Sequence, residues 1–245
     1  MFFSDKIVWI TGASSGIGKA LALELVKAAC KNPDKVKIIT LDLEDYTNLQ
    51  PKADDAIAAF GAIDVLINNG GISQRSLVKD TTILVDKRIM DINYLGTVAL
   101  TKAILPHFIK NKNGHFVVTT SIVGKIGTPL RSSYAASKHA LHGFFDSLRA
   151  EIHQENIAVT LVCPGFINTN ISKNALTGNG TPQQKMDAAT AKGIQPERFA
   201  KLMLKAIEQR KEEVYISGAK EKLGVYVKRL FPKIFSMMIK KMSVT

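Results

Sequence analysis

Lys6-Ile-Val-Trp-Ile10 is a short apolar run that passes directly into Thr11-Gly-Ala-Ser-Ser-Gly-Ile-Gly18, and a helical pattern begins at once in Lys19-Ala-Leu-Ala-Leu-Glu-Leu-Val26. A buried strand, a glycine-rich turn and a helix in immediate succession leave few folds open. Gly12, Gly16 and Gly18 let the backbone bend sharply and come close to a bound group. The helix aims its first N–H groups at that turn, a natural seat for a pyrophosphate. The spacing departs from the common Gly-x-Gly-x-x-Gly, and such a turn taken alone is equally consistent with mere punctuation between elements.

Further strands are expected at Val36–Leu41, Asp64–Asn68, His115–Thr120, Ile157–Val162 and Glu213–Ile216, with long helical patterns between most of them. This alternation predicts an α/β fold whose parallel sheet is covered on both faces, with ligands at the carboxyl ends of the strands. The 245 residues, 46% of them hydrophobic and without internal repeat, suit one domain over residues 1–218 followed by a tail over 219–245. Cys30 and Cys163 are too few for a disulfide framework and lack metal-site spacing, so a reducing compartment and no metal are expected. The first residues do not read as a secretory signal, and no apolar run reaches the ~20 residues that span a bilayer. A cytoplasmic location is the expectation.

Polar residues collect where strands should end: Asn68-Asn-Gly-Gly71, Ser121, Pro164-Gly165 and Thr169. Tyr134 and Lys138 stand one helical turn apart and share a face, and no other tyrosine in the chain has a lysine four residues later. A phenol titrates near ~10, and a neighbouring ammonium favours its ionised form. A lone Tyr-x-x-x-Lys usually marks a solvated helix face. Ser121 and Asn93, each taken singly, read as local hydrogen-bonding groups.

Thr11-Gly-x-x-x-Gly-x-Gly18, Asn68-Asn-Gly-Gly71, Asn93-x-x-Gly96, Ser121, Tyr134-x-x-x-Lys138 and Pro164-Gly165 occur in an order that makes the chain resemble the short-chain dehydrogenase/reductase family from about Lys6 to Ile216. The resemblance implies a Rossmann-type, doubly wound parallel sheet in three α/β/α layers. It implies an NAD(P)(H)-dependent oxidoreductase that interconverts a secondary alcohol and a ketone. Tyr134 would be the general acid-base, Lys138 would lower its pKa and bind the nicotinamide ribose, Ser121 would hydrogen-bond the substrate oxygen, and Asn93 would hold a relay water. Gly12, Ser14, Ser15, Ile17 and Gly18 would line the phosphates, Asp42 the adenine, Asn69 the adenosine ribose and Thr169 the nicotinamide carboxamide, with Gly16, Gly70, Pro164 and Gly165 as further cofactor contacts. Gly70 stands where the family carries alanine. The competing reading is a non-catalytic dinucleotide-binding or membrane-associated scaffold, against which the full set Asn93, Ser121, Tyr134 and Lys138 argues.

One departure is larger. Between Cys30 and Val36 only Lys31-Asn-Pro-Asp-Lys35 intervenes, where the family has a whole strand and helix. Either a segment is missing from the sequence as given, which is the favoured reading, or a true deletion moves the later strand into the vacant place. The family's NAD-or-NADP selecting residue belongs to that segment, so the lean toward NADP rests on the resemblance to hydroxysteroid-dehydrogenase-like members.

The net charge is +12, and half of it lies in the tail: seven basic residues from Lys220 to Lys241 against Glu221. Leu223, Val227, Leu230, Phe231, Ile234, Phe235, Met238 and Met242 recur there at helical intervals, with Pro232 as a breaker. Such a tail can lie in an anionic membrane interface, which would suit a lipophilic substrate, or dock over the cleft or a partner subunit. No nucleic-acid reading motif accompanies the charge. Residues 166–193, with a weak helical pattern over Pro182–Ala189, are expected to form a mobile lid over cofactor and substrate, the alternative being a plain surface excursion. The small residues Ser132, Ser133, Ala135, Ala136, Ala140 and Gly143 allow close helix packing, and the resemblance implies a homodimer or homotetramer.

Overall fold

Alternate residues of the central strands point to opposite faces, and both faces are apolar, so each strand is buried on two sides. The computed structural model describes residues 2–29 and 35–240. The segment 30–34, where the break was expected, and residues 241–245, which include Lys241 and Met242, lie outside them. Five parallel strands, β1 (Val8–Ile10), β2 (Val65–Asn68), β3 (Gly114–Thr119), β4 (Ile157–Pro164) and β5 (Glu213–Ile216), lie side by side in chain order.

Helices cover both faces. On one side Leu21 of α1 (Gly16–Ala29) and Phe199 and Met203 of α7 (Pro196–Glu208) pack on Val65, Ile67, Val117 and Val162. On the other, α2 (Leu49–Phe60), α4 (Gly96–Asn111) and α5 (Ser132–Glu151) bring Leu49, Leu100, Phe108, Leu141 and Phe145 onto Leu66, Phe116, Val118 and Leu161. The three-layer α/β architecture follows from this alternation. Between α2 and α5 lie α3 (Ile83–Met90) and one π-helical turn, Asp91–Leu95.

Two expectations are corrected. Val36–Leu41 is not a strand: Ile39, Leu41 and Leu43 lie against the core at alternate positions, but Ile38 is 93% exposed. The pattern is that of extended chain, yet no neighbouring strand is paired with it among the described residues, and a strand needs a ladder partner. Pro182–Ala189 is irregular, and only α6 (Ala188–Ala191) is helical, because Pro182 and the left-handed Gln184 (φ 57°) interrupt the pattern. The tail does break at Pro232, into α8 (Ala219–Leu230) and α9 (Pro232–Ile239). Both of its open alternatives bear on one hairpin, whose inner side docks through Phe235, Val225 and Val227 on Ile122 and Ile126. Among the described residues no helix is long and apolar enough to cross a membrane.

Candidate active site

The carboxyl ends of β1 to β4 converge on one cleft of about 650 Å³. Its floor at β1 is stitched by the buried Thr11. The Thr11 hydroxyl accepts the N–H groups of Asn69 and Gly70 at 3.0 and 2.9 Å, and its carbonyl accepts from Asn69 Nδ2 at 3.1 Å. Gly12 takes φ +66°, and a Cβ there would lie 2.9 Å from the Gly70 Cα. A Cβ on Gly18 would collide with the Gly12 carbonyl oxygen. Turn and loop therefore meet backbone to backbone, which side chains would prevent. At Gly70, the departure from alanine, an added Cβ would lie 2.7 Å from Leu43 Cδ1, the end of a side chain that would have to shift to admit it.

At the other end, Ser121 follows β3 and its hydroxyl accepts the Val123 N–H at 3.1 Å. Tyr134 and Lys138 occupy the first turns of α5. The Lys138 ammonium is buried, donates to the Thr119 carbonyl at 2.9 Å, and lies 5.8 Å from the Tyr134 ring centre. Asn93, in the π-helical turn, is fully buried: Oδ1 accepts the Ile72 N–H at 2.8 Å, and Nδ2 donates to the Ile72 carbonyl at 2.9 Å and the Ser137 hydroxyl at 3.1 Å. A Cβ on Gly71 would sit 2.9 Å from Asn93 Oδ1 and 3.8 Å from Lys138 Nζ, so a bare glycine separates the two.

Of the residues singled out from the sequence, Gly12, Ser14, Ser15, Gly16, Ile17, Asn69, Gly70, Ser121, Tyr134, Lys138, Pro164, Gly165 and Thr169 border the cleft. Gly18 and Asn93 lie behind its wall. Asp42 lies on the exposed stretch before α2, outside the lining, where its carboxylate accepts the Glu44 N–H at 2.9 Å. Asn69 spends both ends of its side chain within the protein, since its Oδ1 also accepts from Thr119 at 3.3 Å.

The electrostatics differ from the simple expectation. Burial raises the Tyr134 pKa, opposed by the Ser121 hydrogen bond and then by the charges of Arg131 and Arg75. The dense surroundings of the ring favour this direction, but water in the open cleft still reaches one edge of the half-buried residue, so desolvation acts at reduced strength. Burial alone pulls Lys138 down to about 8. The cations that press on the phenol are thus two arginines, which the sequence reading did not single out.

Arg75 and Asp187, 112 residues apart, form a buried pair at 2.6 and 2.8 Å, and Arg131 approaches the same carboxylate at 3.5 Å. Arg131 is held at about 10, chiefly by burial. Arg75 follows the Asn-Asn-Gly-Gly loop and Arg131 immediately precedes α5, positions that were the only sequence signal. The pair ties residues 166–193 to the β2 loop, together with backbone bonds from Arg75 to Leu176 and from Leu176 to Ser73, both 2.8 Å. These bonds fasten the stretch to the cleft rim at Leu176 and Asp187.

Comparison with known proteins accords with this geometry. A dehydrogenase/reductase SDR family protein 7-like of Anopheles gambiae is 42% identical, covering 97% of this chain and 83% of its own. That match extends over 263 residues, more than the 245 present here, so the relative carries residues in the shared span that have no counterpart. Among solved structures, a short chain dehydrogenase/reductase from Burkholderia phymatum in complex with NAD superposes with TM-score 0.82 at 21% identity, covering 96% of both chains. A short chain dehydrogenase from Burkholderia cenocepacia in complex with NADP gives 0.81 at 22%, covering 98% of this chain and 99% of its own. The short chain dehydrogenase family model matches residues 27–180. The chain belongs to the short-chain dehydrogenase/reductase family of oxidoreductases.

Proposed function

We propose that this protein uses a nicotinamide dinucleotide to interconvert a secondary alcohol and a ketone on a lipophilic substrate. The observation that carries the reading is that Ser121, Tyr134 and Lys138 border the same cleft as the Gly12–Ile17 turn. The turn fits a dinucleotide: it is backbone-lined at Gly12 and Gly16, presents the exposed Ser14 and Ser15, and opens α1. When bound, that group supplies or accepts the hydride.

The chain's own residues handle the proton and the charge. A raised pKa keeps the Tyr134 phenol protonated at neutral pH, which suits it to donate to a carbonyl oxygen in reduction. Ser121 donates to the same oxygen, and Arg75 and Arg131 lower the cost of the phenolate that remains. Lys138, with a pKa of about 8, is poised to return a proton near neutral pH. Asn93 fixes the Ile72 backbone and with it Gly71 beside Lys138.

A panel of ketones and alcohols assayed with NADPH and NADH at the nicotinamide absorbance tests the reading. Turnover of a lipophilic ketone, faster with NADPH, is expected. Failure with every substrate despite dinucleotide binding would favour a scaffold. We place homo-oligomer contacts along α5, where Ala136 and Gly143 are exposed, and sedimentation of Gly143→Arg checks that placement.

A further inference from the structure

The hairpin of α8 and α9 has an outer side that none of the described residues covers. Leu223, Tyr226, Leu230, Phe231 and Met237 are each 56–67% exposed, and α8 contains no buried residue. A contiguous apolar surface of this kind is uncommon on a protein that meets only water. The same two helices carry exposed Lys220, Lys222, Arg229, Lys233 and Lys240, of which Lys220 also lines the cleft. Lys228 lies over the Phe235 ring at 5.8 Å. Glu221, the single acid among residues 219–240, is turned inward to accept the Phe166 N–H at 3.0 Å. The exposed surface of the hairpin is thus made of apolar and cationic side chains without an exposed acid.

We propose that this face seats on an anionic lipid surface, with the cleft mouth at the lipid boundary. Charge decides between the candidate occupants. A second copy docking through the same face would set two groups of cations against each other, whereas an anionic lipid headgroup layer complements the cations while its acyl boundary receives the apolar side chains. The same hairpin supplies the lip of the cleft: Leu223 and Met238, 60% and 44% exposed, also line it. An apolar path therefore runs from the outer face past these two residues toward Tyr134. The consequence for substrate rests on the proposed reaction: the ketone is one that partitions into a membrane and enters sideways from it.

Flotation of the full chain tests the docking without requiring turnover. Vesicles of phosphatidylcholine alone are compared with vesicles of three parts phosphatidylcholine to one part phosphatidylserine. The chain is expected to float at least tenfold more with the mixed vesicles and to be released by salt. Each basic residue near such a surface contributes about fivefold, so Arg229→Glu with Lys233→Glu should lower flotation by at least tenfold. Tyr226→Ser with Leu230→Ser should do the same through the apolar side chains. None of these four residues lines the cleft, so both variants should bind the dinucleotide normally, which also shows that they are folded. Equal flotation with the two vesicles, or none, overturns the proposal. So does self-association at micromolar concentration that Tyr226→Ser with Leu230→Ser abolishes, since that hands the face to a second copy. A chain that floats but reduces no ketone keeps the docking and refutes the reaction; one that reduces ketones without floating does the reverse.

Discussion

β3 and β4 run for six and eight residues, are buried almost throughout, and deliver Ser121 and Pro164 to the cleft, whereas β1 is three half-buried residues long and pairs with β2 alone among the described residues. The half of the site proposed to handle the proton therefore stands on sheet packed from both faces. The dinucleotide half stands on a thin edge held by Thr11 and by close backbone contact. Geometry for chemistry and geometry for binding have separate supports, so they should fail separately.

The sharpest separation is Tyr134→Phe, which should lower turnover by about 10³-fold while leaving nicotinamide fluorescence on binding unchanged. Loss of both together would merge the two halves. Next, Phe116→Ala at the centre of β3 should cost about 3–5 kcal/mol in urea unfolding, against within about 0.5 kcal/mol for Ile38→Ala, although both residues sit in extended chain. Similar costs would show that residues 36–41 are held as firmly as the sheet.

Acid provides a smaller test of the deep half. His115 on β3 is buried against the Thr160 hydroxyl at 2.8 Å, and burial brings its pKa down to about 4. The unfolded chain, titrating near 6.5, binds the proton first, so the contribution is complete above pH 6.5 and is lost as pH falls toward 4. Unfolding free energies from urea titrations at pH 7 and pH 5 should differ by about 2 kcal/mol on this account, and His115→Gln should reduce that difference. The smallest effect belongs to the thin half: Thr11→Val removes the acceptor of two N–H groups and should cost about 1–2 kcal/mol, with weakened dinucleotide binding and a turnover number within about twofold once saturated.

The deep half was legible in the sequence because its signals are local. Four strands had their cores placed by apolar runs, and Ser121, Tyr134 and Lys138 carry motif spacing that survives without coordinates. Val36–Leu41 misled because alternation reports a half-buried extended segment and says nothing about a hydrogen-bonded neighbour. The arginines escaped notice because their meaning arises only when Asp187 arrives from a distant part of the sequence, 112 residues away in the case of Arg75. The tail hairpin was foreshadowed by Pro232 and its periodic apolar residues, but its share in the cleft lip depends on Phe235 docking at Ile122 and Ile126.

The Arg75–Asp187 pair has a further consequence, for anyone reshaping the enzyme. With the backbone bonds around Leu176 it clamps one jamb of the doorway, so bulk added to a substrate on that side meets a frame that cannot yield without stranding a buried charge. The opposite jamb is the hairpin, fastened by a few apolar contacts and by Glu221. On the proposed reaction, an unequal frame sets size selectivity, and trimming Leu223 or Met238, which line the cleft, is the simplest change that would admit a larger guest.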